Sequence, residues 1–192
     1  MPANRVILFG ARAMACLGGL SLCLVILAVC VSVAGREAAD VANTGVIGAL
    51  GTWLLDHGLG PILGDFELVE AGVAFAIFAF LPLCQVSSSH AVVDIFTEMM
   101  PKSAIRFLRM ITEVVFAAVL ILIAWKLYDG LVSKHRYGET TFLLQFPIWW
   151  AYAASLFGAV AAAFVGCYMA IVRIAEFIFK RILISDGAEA EI

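Results

Sequence analysis

Four apolar runs, each about as long as or longer than the roughly 20 residues that cross a bilayer core as a helix, alternate with more polar stretches along this chain. The pattern predicts membrane spans at about 13–34, 66–84, 105–128 and 147–178. It also predicts a connection over 35–65, an amphipathic segment over 89–100, a second connection over 129–146 and a tail over 179–192. The last run is the most organised. It opens on Pro147, Trp149, Trp150 and Tyr152, residues suited to a helix's first turn and to the headgroup level, and ends in Lys180 and Arg181. Ala154, Gly158, Ala162, Gly166 and Ala170 recur at every fourth position within it. Such a ladder makes a groove into which another helix backbone fits, whether from this chain or from a partner.

The remaining runs have their own marks. Arg5 and Arg12 precede the first, which exceeds the ~7–15 residues of a signal-peptide core and is read as a retained span. Ala11, Ala15 and Gly19 make a second small-residue ladder, and Cys16, Cys23 and Cys30, seven apart, are expected on a seam facing another helix. A short helix over 46–55, capped by Asn43 or Thr44, would lie on the membrane or against a neighbour. Asp65, Glu67 and Glu70 open the second span, where the helix dipole favours carboxylates, and Pro82 should break or kink its far end.

His90, Asp94 and Glu98 line one face of the amphipathic segment. Metal ligation would use that spacing, but so does any polar stripe on an interfacial helix. Glu113 lies inside the third span, where an ionisable group should face protein and be paired. Arg109 at i−4 is the nearest candidate partner, and a proton or ion site is the functional alternative.

Composition agrees with the pattern. Hydrophobic residues make up 64% of the 192, and the mean hydropathy is +1.03, so the chain is an all-α integral membrane protein. The net charge of −3 and the scattered cations exclude a nucleic-acid partner. With four spans both termini share a side. Eight of the twelve Lys and Arg residues fall on it, which makes it cytoplasmic by the positive-inside rule, and Trp53, Trp125, Trp149 and Trp150 fall on the opposite side.

Groups for chemistry are sparse. The five cysteines include no Cys-x-x-Cys pair, the three histidines lie in loops or at interfaces, and no nucleotide-binding fingerprint occurs. No catalytic, cofactor-binding or metal residues are assigned. A membrane partner is favoured over an enzyme, with a small redox or cofactor-binding protein and a self-sufficient homo-oligomeric carrier or channel as the alternatives.

Three features occur in a set order: Glu67 opening the second span, His90-Ala91-Val92-Val93-Asp94 just beyond its far end, and Gly138-Glu139-Thr140-Thr141 followed by Pro147-Ile148-Trp149-Trp150-Ala151-Tyr152. Together they resemble the small, four-helix membrane subunit of tripartite ATP-independent periplasmic (TRAP) transporters. The chain departs from that pattern in its longer 36–67 connection and in Leu81 and Pro82. The resemblance implies a bacterial inner-membrane complex, in which a large elevator-type subunit carries solute and sodium and a periplasmic binding protein delivers a carboxylate-bearing substrate. The small subunit would brace the large one and help dock the binding protein. Glu67, His90, Asp94, Arg109, Glu113, Thr141, Pro147, Trp149, Trp150 and Tyr152 would then hold helix ends or meet a partner.

Overall fold

The computed structural model describes residues 2–43, 63–87 and 102–179. The short helix expected over 46–55, the amphipathic segment 89–100 with His90 and Asp94, and the tail beyond residue 179 lie outside them. The described residues form four α-helices: α1 Pro2–Asn43, α2 Asp65–Val86, α3 Lys102–Tyr137 and α4 Trp149–Phe179. Each contains a window long and apolar enough to cross a membrane.

The helices outrun the apolar runs that predict them. At about 1.5 Å per residue, the 42 residues of α1 and the 36 of α3 extend roughly 63 and 54 Å, well beyond a ~30 Å hydrocarbon core. The extra turns take in part of what reads as connection. Helix α1 continues through Glu37, Ala38 and Ala39, while α3 passes Lys126 and Asp129, an i,i+3 ion pair at 3.6 Å. Pro82 does not end α2, which runs on to Val86 with the proline buried inside it. Pro147 precedes α4 by two residues instead of opening it.

The four helices pack as a layer in the order α1, α2, α4, α3. α1 lies on α2, α2 on α4 and α4 on α3, whereas α1 touches α4 only marginally. Within the apolar windows, 44% of α4 is buried by the rest of the chain against 11% of α1. The helix with the small-residue ladder is therefore the one the others are built on.

The reason is the ladder's geometry. Steps of four residues advance a helix by about 400°, so each rung sits ~40° further round than the last. Gly158 consequently faces α2: a Cβ there would lie 2.9 Å from the Phe78 Cβ, 3.0 Å from its carbonyl carbon and 3.1 Å from the Ala79 nitrogen. Two rungs on, Gly166 faces α3, at 3.0 Å from the Leu120 Cδ1 and 3.6 Å from the Ala117 Cα. Ala162 between them is wholly buried and Ala170 nearly so. The groove is filled by this chain's own helices.

The same rotation corrects the first helix. A Cβ on Gly19 would meet nothing within 4 Å, whereas one on Gly18 would stand 2.9 Å from the Ala79 Cβ. The seam facing α2 therefore runs through Ala11, Ala15, Gly18, Ser32 and Gly35, mixing steps of three and four to stay in line. Cys16, Cys23 and Cys30 share the seven-residue spacing of Gly18 and Ser32 but sit two positions out of phase. All three are exposed on α1, not turned to another helix of the chain.

Candidate functional site

Polar contacts gather at the two ends of the layer. Glu67 and Gln85, one from each cluster, are 18 residues apart on α2, or about 27 Å along its axis. That is close to the thickness of a hydrocarbon core.

At the first end, residues 138–148 form a strapped turn between α3 and α4. Gly138 takes φ +61° as α3 ends, a conformation open to glycine at no steric cost. Thr140 bridges to Pro147 in antiparallel fashion, the Thr141 N–H donates to the Phe146 carbonyl at 3.0 Å, and the Phe146 N–H donates to the Thr141 Oγ1 at 3.2 Å. Glu139 holds Lys134 of α3 at 2.5 Å.

This turn needs a partner for its inward N–H groups, and Glu67 supplies it. The buried carboxylate accepts from the Leu143 N–H at 2.7 Å and the Leu144 N–H at 2.9 Å, one on each oxygen. A carboxylate taking two backbone donors is a charge-assisted clamp. Nearby, Gly64 at φ +86° lets the turn settle onto the start of α2, since a Cβ there would lie 2.7 Å from the Leu144 Cγ. Asp65 performs a parallel task toward α1, accepting from the Ser32 hydroxyl at 2.7 Å and from Arg36 at 3.3 Å.

The aromatic residues complete this end. Trp149 stands edge-on to His135 with centroids 5.2 Å apart, and Trp150 meets Trp149 at 5.9 Å while remaining mostly exposed. The Tyr152 ring occupies the space that a Cβ on Gly130 would need. Ala154 is half-buried.

Replacing Glu67 with Gln removes one acceptor and presents an amide donor to an N–H. The expected cost is about 1–3 kcal/mol, with faster hydrogen exchange at Leu143 and Leu144. Unchanged protection at both amides would show that the clamp does not hold the turn.

The second cluster is buried among α2, α3 and α4. Gln85 Nε2 donates to the Glu113 carboxylate at 2.7 Å, and Arg173 Nη1 donates to Glu176 at 2.8 Å. All four residues are less than a tenth exposed. The α3–α4 register, marked by Ala117 beside Gly166 and by Phe107 against Phe177 at 5.9 Å, sets Glu113 level with Ala170 and Arg173. Glu113 thus faces protein, as its depth requires, and meets an amide on another helix. Arg109 lies on the exposed side of α3.

Gln85, Arg173 and Glu176 escape a sequence-level search because each sits near the end of an apolar run, where polar residues are ordinary. A trace was present: Arg173 and Glu176 continue the face of Gly166 and Met169 in steps of three and four.

Among the described residues no three His, Cys, Asp or Glu side chains gather as a metal site. The arrangement ties helices together at both ends. The model of the family "Tripartite ATP-independent periplasmic transporters, DctQ component" matches residues 25–176, from the middle of α1 to the end of α4. The chain belongs to this family. It is a DctQ component, the small membrane subunit of a TRAP transporter and not a member of an enzyme family. No curated relative and no solved structure matches it. The region matched to the DctQ model contains both polar clusters and the whole ladder.

Proposed function

We propose that this DctQ component is the stationary brace of a sodium-coupled TRAP transporter for a carboxylate-type solute. It holds the scaffold of the large elevator subunit and helps dock the periplasmic binding protein. One observation carries the reading: the four helices form a single layer, tied at both ends by buried polar contacts, instead of closing round a central site. A layer offers two broad faces to a neighbour, and its end ties resist the shear a moving neighbour would impose. Sodium and solute are carried by the large subunit, and this chain needs no cofactor.

In the proposed orientation both termini are cytoplasmic in a bacterial inner membrane. Arg173 is buried in a pair and drops out of the loop charges, leaving seven cations at the terminal end against four at the other. The bias keeps its sign. The turn carrying Phe142, which is 88% exposed, then faces the periplasm with the exposed Phe66 and Leu63 beside it. These apolar residues suit a docking surface.

Mild detergent extraction of the tagged chain should recover the large membrane subunit. The chain reconstituted alone should move no solute and show no visible absorption band. Solute flux, or a bound prosthetic group, with no second polypeptide present would overturn the proposal.

A further inference from the structure

A cleft of about 290 Å3 opens on the layer between α2 and α4, with Leu127 of α3 on its flank. Its lining includes the small residues Ala71 and Ala74 of α2 and Ala151 of α4, and Phe78 is the lining residue furthest along α2 from Glu67. From Glu67 at the mouth to Phe78 is 11 residues of α2, or about 16 Å. Half of a ~30 Å hydrocarbon core is about 15 Å, so the cleft runs from the headgroup level to the middle of the bilayer.

Two polar groups lining it stand apart from the contacts made among the described residues. Glu70, in the second turn of α2, is exposed and has no hydrogen bond or ion pair among the described residues, unlike Glu67 beside it, which is consumed by the turn. An ionisable group within a span calls for a partner. Ser155 is only 3% exposed, and its hydroxyl likewise has no hydrogen bond among the described residues. An apolar slot one leaflet deep with a carboxylate at its mouth is complementary to one kind of molecule.

We infer that the cleft holds one acyl chain of a phospholipid whose ammonium headgroup is met by Glu70. A cleft of about 290 Å3 lined by Ala71, Ala74 and Ala151 suits one acyl chain. The carboxylate selects the headgroup: an ammonium offers charge and N–H donors, whereas a glycerol headgroup leaves the lipid's phosphate unopposed against Glu70. This site is independent of the brace, since it needs neither the large subunit nor a solute.

The test uses the full chain, extracted in mild detergent with whatever subunit accompanies it. Native mass spectrometry follows exchange with dioleoyl phosphatidylethanolamine or dioleoyl phosphatidylglycerol. One ethanolamine lipid per chain should be retained, about fivefold over the glycerol lipid, the scale expected of one charge contact near a membrane surface. Glu70→Gln should level that ratio at unchanged thermal stability, and Ala74→Phe should fill the slot and abolish retention. Should Ala74→Phe misfold, Glu70→Gln alone decides. Equal retention of the two lipids by the unaltered chain, or a preference that survives Glu70→Gln, overturns the assignment. So does an Ala74→Phe variant that releases the accompanying subunit while still holding lipid, because a protein side chain would then occupy the cleft.

Discussion

Gly158→Leu should separate α2 from α4 and destroy the layer, at a cost of at least about 3 kcal/mol. Adding even a few atoms to a well-packed contact costs ~1–3 kcal/mol, and here the obstacle is backbone. The new Cβ would sit 2.9–3.1 Å from the Phe78 and Ala79 atoms that Gly158 now admits. Neither atom set can swing aside as a side chain does, so the helices must move apart. In lipid, where close packing is the main attraction between helices, little remains to hold them. Gly166 offers the control. A Cβ there meets the far end of Leu120, which has rotamers available, and reaches the Ala117 backbone only at 3.6 Å. Gly158→Ala should therefore lower the thermal midpoint in detergent more than Gly166→Ala, and Gly158→Leu should elute as aggregate or fail to retain its partner. Equal midpoints for the two alanine variants would show that the backbone approach at Gly158 is not what holds α2 to α4.

The second large effect is expected at Arg173. Removing one partner from a buried ion pair costs about 3–5 kcal/mol in soluble proteins, because the other charge is left uncompensated. Arg173→Met removes the guanidinium that donates to Glu176, itself 8% exposed, at 2.8 Å. We expect a loss of about 3 kcal/mol, read as a lower midpoint and weaker protection at the α3–α4 contact. The paired variant Arg173→Met with Glu176→Gln removes both charges and should recover much of that loss, since a neutral buried amide asks less of its surroundings than a buried carboxylate. If the double variant is as unstable as the single one, charge balance is not what the cluster provides.

Much of this molecule is open to a reader of the chain alone. Four runs of apolar residues foretell four helices because nothing else satisfies its backbone within a bilayer without strand partners. Glu67, the Gly138 to Thr141 motif and the aromatic group at Trp149 and Trp150 belong to one end of the layer in both sequence and structure. What joins them does not show in the chain. Glu67 bonds to N–H groups 76 and 77 residues away, and no local pattern announces that a turn will offer two donors there. Glu113 shows the same limit. Its need for a partner follows from its depth, but no local pattern points to Gln85, which donates to it from another helix.

The number of apolar helices, their order and the existence of a small-residue ladder were settled by the order of residues, through the length of apolar chain a bilayer demands. The facing of each helix was left to the assembled layer. In water an apolar stripe points to the core and betrays its direction, but in a span every side is apolar and the stripe vanishes. Gly18 instead of Gly19, cysteines turned away from α2, and one ladder shared between α2 and α3 are decisions made only when close-packed backbones and buried polar pairs are satisfied together.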